Sequence, residues 1–281
     1  MKAKLLYFCA LGPWLFTAMG FVVFATSLKA DGDGKKKNPT SKLYVADVEG
    51  ESSINTGDKI DDLTKKSVYS AEGTTIETKP DANNALVLSN GTGVFFDPDT
   101  KLEIKRFLQE PFTPNRNDLE VEPSVSQTAA FLPRGTVALC TGKMVAGSTM
   151  VYSTPQASVS IRGRKVVVQS SGNTTTVSLI EGDVTVRGDL TGGGESLKPG
   201  QQAIITRNSP SEPPIIKIQD IPANQKDALG DRVSMACMAR KTVYFETAER
   251  ESNELTPVVV VPPGIPPSIS VSPSAIPSNT P

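Results

Sequence analysis

From about Lys42 to Arg207 the chain is a succession of short β-type segments, each closed by a turn residue. That punctuation restricts the region to brief strands and tight connections. Leu102 and Ile104 alternate with Lys101, Glu103 and Lys105, and Val159 and Ile161 alternate with Ser158, Ser160 and Arg162. A period of two predicts strands with one face on a core and one face in water. Val166, Val167 and Val168 break the alternation, as expected of a β-branched strand covered on both faces. Val177 and Leu179 alternate up to Glu181-Gly182-Asp183, and Val184 and Val186 resume beyond it, which predicts a hairpin. Further turns are expected at Asn90-Gly91, Asp97-Pro98-Asp99, Gly142, Ser171-Gly172-Asn173, Gly192-Gly193-Gly194 and Pro199-Gly200. With 22 Gly, 22 Pro and only 6% aromatics in 281 residues, composition also favours short strands over long helices.

One stretch of the chain after the first thirty residues has helical composition, Ala223–Arg240, where Leu229, Val233, Ala236 and Arg240 follow helical spacing. Gly230 weakens it, since an interior Gly costs about 1 kcal/mol relative to Ala. Arg207 to Pro222 is Pro-rich and extended. Thr256 to Pro281 is almost entirely Pro, Val, Ser and Ile, a composition that packs no core of its own. It reads as a disordered or polyproline-type tail, with a docking peptide as the sharper alternative. The expected fold is all-β, many short strands in a β-sandwich or a β-roll or solenoid-like arrangement, with one short C-terminal helix. The expected organisation is a signal peptide or N-terminal membrane anchor (1–30), a polar linker (31–41), a β-domain (42–207), a Pro-rich linker (208–222), a helical segment (223–250) and a disordered Pro-rich tail (251–281).

Lys2 and Lys4 precede an apolar run from Leu5 to Phe24, and polarity returns with Thr26, Ser27 and Lys29. This is the pattern of an export signal, with small residues at Ala25 and Ser27 offering a cleavage point and Leu28 to Ala30 offering another. At about 20 residues the run exceeds the usual 7 to 15, which keeps an uncleaved anchor open. Gly12 and Pro13 shorten the effective segment to Trp14–Phe24 and favour cleavage. The expected location is therefore outside the cytoplasm, in the periplasm or at the cell surface, with an inner-membrane anchor as the alternative. Lys35–Lys37 is read as solvated charge rather than a lipid or cell-wall contact. Asp31 and Asp33 hint at a calcium loop, but Lys35 and Lys42 stand where that loop needs oxygen ligands.

The chain contains no histidine, which excludes Ser-His-Asp, Cys-His and His-metal chemistry. No Ser-x-x-Lys, G-x-S-x-G or phosphate-cradling Gly loop replaces it. Asp61-Asp62 and Glu120-Val-Glu122 could in principle supply a carboxylate pair for glycoside hydrolysis, but they read as solvated surface acids. Cys140 could act as a nucleophile only beside a base other than His. A net charge of −1, with no aromatics set among basic residues, gives nucleic-acid binding no support. No enzyme is expected, and no catalytic, cofactor or metal residue is assigned. Cys9 lies in the leader, which leaves Cys140 and Cys237. In an exported protein these two can form a disulfide; two separate buried thiols are the alternative.

Three segments resemble the FecR domain of bacterial extracytoplasmic proteins. Ala85 to Ile104, with Ser89-Asn90-Gly91-Thr92 at its turn, is similar to that family's strand, "dGt" turn and following strand. Thr154 to Val168 resembles its "TP-A-V-V-GT-F-V" segment, preceded by Leu139-Cys-Thr-Gly-Lys143. Val177 to Val186, followed by Leu197-Lys-Pro-Gly-Gln-Gln202, resembles its "V-EG-V-V … L-pGq" ending. The chain departs from the pattern at Arg164, where the family has Thr, and at Val166, where it often has Phe. The resemblance covers Val68 to Thr206, implies a binding domain and supplies no catalytic residues. Founding members restrain a sigma factor through a cytoplasmic segment ahead of their membrane span. With only a few residues before its apolar run, this chain is expected to lack that segment. The implied partner is an unidentified envelope protein, in envelope signalling or regulation, or alternatively a cell-wall polymer or polysaccharide. Membrane contact is expected only if the leader is retained.

Overall fold

The computed structural model describes residues 41–112, 120–188, 193–209, 211–249 and 255–260. The apolar segment Leu5–Phe24, the polar linker up to residue 40, and residues 251–254 and 261–281 of the Pro-rich tail lie outside them. Strands β1 (Lys42–Glu49), β2 (Ser52–Asn55), β3 (Ile60–Asp62), β4 (Val68–Ser70), β5 (Thr75–Thr78), β6 (Asn83–Leu88), β7 (Gly93–Phe96) and β8 (Lys101–Gln109) lead to the long β9 (Ser126–Cys140). β10 (Thr149–Ser153), β11 (Ser158–Ile161), β12 (Lys165–Ser171), β13 (Thr174–Glu181), β14 (Val184–Arg187), β15 (Glu195–Leu197), β16 (Gln201–Thr206) and β17 (Ile215–Asp220) follow. Helix α1 (Ala223–Lys241) and strands β18 (Tyr244–Glu249) and β19 (Leu255–Val260) complete the described chain.

Strand pairing divides β1–β17 into two layers. One runs β4-β1-β6-β7-β9-β12-β13-β16-β17. The other runs β3-β2-β5-β8-β9-β10-β11-β14-β15. All pairings named here are antiparallel except β9 with β10. β9 belongs to both layers. Its first half pairs with β8 and β10, and its second half pairs with β7 and β12. The switch falls near Pro133, which has no N–H to donate, and Gly135, whose φ of +92° few side chains tolerate.

The alternating residues face the space between the layers, as their period requires. Leu102, Ile104, Val159, Ile161, Val177, Leu179, Val184 and Val186 all join one buried cluster there, with Phe96, Phe107 and Tyr152 among its largest members. A second cluster lies on the opposite face of the first layer, beneath α1, where Val233, Ala236 and Ala239 meet Tyr44, Val87, Phe95, Ala138 and Val167. This explains the continuous apolar runs. Val166 and Val168 point into the inter-sheet core while Val167 points to the helix, and Leu86, Val87 and Leu88 divide in the same way. The molecule therefore has three layers over its central strands: sheet, sheet, helix.

Helix α1 sits close to the sheet because β7 begins with a glycine. A Cβ on Gly93 would stand 2.0 Å from the Ala236 carbonyl oxygen. Arg232 donates to Asp97 at 2.6 Å, and Arg240 Nε donates to the Gly91 carbonyl at 2.9 Å, so polar contacts hold both ends of the docked face. Between them Cys237 is joined to Cys140 at the end of β9 in a disulfide, with Cα atoms 5.1 Å apart across a sequence separation of 97.

Four expectations differ from the structure. The turn at Glu181-Gly182-Asp183 does not make a hairpin: β13 pairs in the first layer with β12 and β16, and β14 pairs in the second with β11 and β15. The chain turns perpendicular to the sheets there, and Leu179 and Val184 reach the same core from opposite sides, so the alternation is the one a hairpin would show. Residues 208–222, expected as a Pro-rich linker, include β17, whose Ile216 and Ile218 pack on the core once Pro213 and Pro214 are passed. The helical segment 223–250 is helix to Lys241 and continues as β18, from which Phe245 enters the cluster under α1. Within the tail 251–281, residues 255–260 form β19 against β18.

Candidate functional site

The acids singled out from sequence do not form a catalytic pair. Asp61 is ion-paired to Lys59 at 2.8 Å on β3. Glu120 meets Arg164 and lies 3.8 Å from Arg240. Glu122 departs from the expectation of a solvated acid, because it is buried and engages the Ser126 hydroxyl, the Asn90 amide and the Val145 N–H at 3.1 Å. It fastens the start of β9 to the neighbouring loops. Nothing in its sequence neighbourhood separates it from Glu120, since burial here comes from partners 23 and 32 residues away. Cys140 is buried and held in the disulfide, not available as a nucleophile. Among the described residues, no three Cys, Asp or Glu converge as a metal site. None of their helices is long and apolar enough to cross a membrane.

What the fold presents instead is surface of three kinds. The first is sheet edge. β3, β4 and β15 are edges of three residues each, whereas β17 offers six, and among the described residues it pairs only with β16. Its outward side carries Ile215, 62% exposed, beside exposed Lys217. An edge of that length leaves backbone donors and acceptors for a further strand.

The second is a polar crevice of about 310 Å³ between the first turns of α1 and strands β12, β13 and β16. Gln169, Thr176, Ser178 and Gln202 line its sheet side together with Val167 and Ile204, and Asn224 and Gln225 its helix side together with Ala228 and Leu229. The helix packs on the central strands, and the sheet face beyond them mixes amide and hydroxyl groups with Ile204.

The third is a cavity of about 410 Å³ at the other end of α1, lined by the disulfide, Glu120, Arg164, Lys165, Arg240 and Lys241. Burial lowers the pKa of the Arg240 guanidinium, the Glu120 carboxylate raises it, and the nearby Arg164 charge lowers it. Lys165 donates to Glu181 at 2.7 Å, which pulls the Glu181 carboxyl below its ordinary range. Glu77 is lowered in the same way on the second layer, chiefly by the hydrogen bond from Arg134 at 2.7 Å. A depressed folded pKa stabilises the protein above the ordinary carboxylate value, and that contribution disappears as pH falls through the folded value. Glu77→Gln and Glu181→Gln are therefore expected to flatten the loss of melting temperature on acidification below about pH 4.5. An unchanged acid limb in both variants would show that these pairs do not couple to folding.

Residues 74–185, from just before β5 into β14, match the model of a family described as FecR protein. Two crystal structures of a candidate anti-sigma factor from Parabacteroides distasonis ATCC 8503 are similar to the chain, each with a TM-score of 0.39. Identities are 19% and 20%, over 55% of this chain and 62% and 63% of theirs. The chain thus spans less than two thirds of those proteins. No curated protein matches it. Ala85–Ile104 and Thr154–Val168 lie inside the matched stretch and Val177–Val186 reaches its end, whereas Leu197–Gln202 lies beyond it; β1–β4 and β15–β17 extend its two layers on either side. The stretch 74–185 is thus similar to a FecR domain, and it is built into a larger two-sheet unit.

Proposed function

We propose that the protein is an exported, non-enzymatic binding module of the bacterial envelope whose FecR domain engages a protein partner and takes part in envelope signalling or its regulation. The observation that carries this reading is the open edge of β17, which lies in the same layer as the matched strands β6, β7, β12 and β13. An extended partner segment would add to that edge through main-chain hydrogen bonds, with Ile215 as the side-chain contact. The family match supports a regulatory role, the absence of histidine argues against the usual hydrolytic chemistries, and the Lys2-to-Phe24 pattern supports export.

A photo-crosslinking residue at Lys217 in the native host tests it. The expected result is one discrete adduct with an envelope protein, lost on Ile215→Lys at the edge and retained when a matching exposed site on β3 is changed instead. Smeared or absent adducts, or adducts indifferent to the edge substitution, would sink the proposal. The polar crevice beside β13 and β16 favours a second reading, a cell-wall or polysaccharide ligand. Co-sedimentation of the purified protein with wall polymer, abolished by Gln202→Ala and not by Ile215→Lys, would replace the first reading with this one.

A further inference from the structure

We propose that the cavity under the C-terminal half of α1 is a binding site for a small anion, a molecule of about monosaccharide size bearing a carboxylate or phosphate. Four cations, Arg164, Lys165, Arg240 and Lys241, converge on its walls, and one carboxylate, Glu120, lines it with them. Glu181 adds a second acid by pairing with Lys165 and, at 3.3 Å, with Arg164. Among the described residues, positive charge remains in excess. At about 410 Å³ the space falls within the roughly 300–1,000 Å³ usual for small-ligand sites.

Two observations point to an anion rather than to a solvated basic patch. The Nε–H of Arg164 is buried with no acceptor, although both terminal nitrogens of the same guanidinium are engaged by Glu120 and Glu181. A donor buried without an acceptor leaves the Arg164 charge under-compensated, which favours negative charge beside the same guanidinium. The Glu120 carboxylate already approaches the guanidiniums of Arg164 and Arg240, which is the geometry a ligand carboxylate or phosphate would adopt. Glu120 itself is 60% exposed at its side chain, so it sits at the mouth and gives way to a competitor from solvent. Burial of Arg240, 6% exposed, close to another guanidinium further favours negative charge between them.

The site is independent of the β17 edge and stands or falls separately. Calorimetric titration of the intact protein with glucuronate and with glucose 6-phosphate, at low ionic strength and with glucose as the neutral control, tests it. Binding by at least one of the two anions and none by glucose is expected, and the stronger anion identifies the head group. Lys241→Gln, at an exposed position with no ion pair among the described residues, is expected to weaken binding by up to about fivefold. Glu120→Gln is expected to act in the opposite direction and tighten it by a similar factor, because the internal competitor is gone. Silence from both anions, binding of glucose, or equal affinity in wild type, Lys241→Gln and Glu120→Gln would each overturn the proposal.

Discussion

Reduction of the Cys140–Cys237 bridge is expected to cost the folded protein about 4 to 5 kcal/mol, since opening a loop of 97 residues restores most of the chain entropy that the bond removes from the unfolded state. For a unit of this size that corresponds to a fall in melting temperature of roughly 10 to 20 °C. The bond also pins α1 midway between Arg232 and Arg240, so the helix is expected to be the first element to gain protease sensitivity when it is cut. Scanning calorimetry with and without reductant, and on the Cys140→Ala/Cys237→Ala double variant, measures the effect. A shift of only a degree or two would mean that packing on Gly93 and the apolar cluster holds the helix unaided.

Gly135→Ala is expected to destabilise the molecule by about 2 to 5 kcal/mol. Roughly 1 to 2 of these come from forcing a side chain into the left-handed region, and about 1 to 3 from overpacking. The new Cβ would lie 2.3 Å from the Thr100 Cα and 2.3 Å from its hydroxyl oxygen. Thr100 cannot retreat, because its N–H donates to the Thr78 hydroxyl at 2.8 Å and its own hydroxyl accepts from the Thr136 N–H at 2.9 Å. Gly172→Ala isolates the backbone component, as its φ of +57° is also left-handed but nothing lies within 4 Å of the added atom. Denaturant midpoints for the two variants should differ clearly. Equal losses would mean that the corner at Thr100 yields more easily than its hydrogen bonds imply.

Much of this fold could be read before any coordinates, because its information is local. Alternation at Leu102–Ile104 and at Val159–Ile161 reports a sheet face directly, and the run at Val166–Val168 reports two faces at once. The spacing of Val233, Ala236 and Arg240 likewise marks the buried stripe of α1. The turn at Gly182 was illegible for a different reason. Reversal within a sheet and reversal between sheets demand the same residues, and only the pairing partners of β13 and β14 tell them apart. β17 was obscured by the prolines around it, although Ile216 and Ile218 carry the period of a strand. The candidate sites were least legible of all. The cation cavity draws Glu120, Arg164 and Arg240 from three distant stretches of chain, and Glu122 is buried by partners equally remote. Such convergence has no signature in a linear pattern.

β9 gives its hydrogen bonds to both layers, and this couples their fates. A sandwich whose sheets are joined only by loops can lose one sheet and keep a remnant of the other. Here the rungs from Ser126 to Phe131 and from Thr136 to Cys140 belong to a single strand, so fraying either half strips partners from β8 and β10 on one side or β7 and β12 on the other. Opening is therefore all-or-none across the two layers, with no half-melted form to expose a long sheet edge. That cooperativity keeps the population of sticky intermediates low.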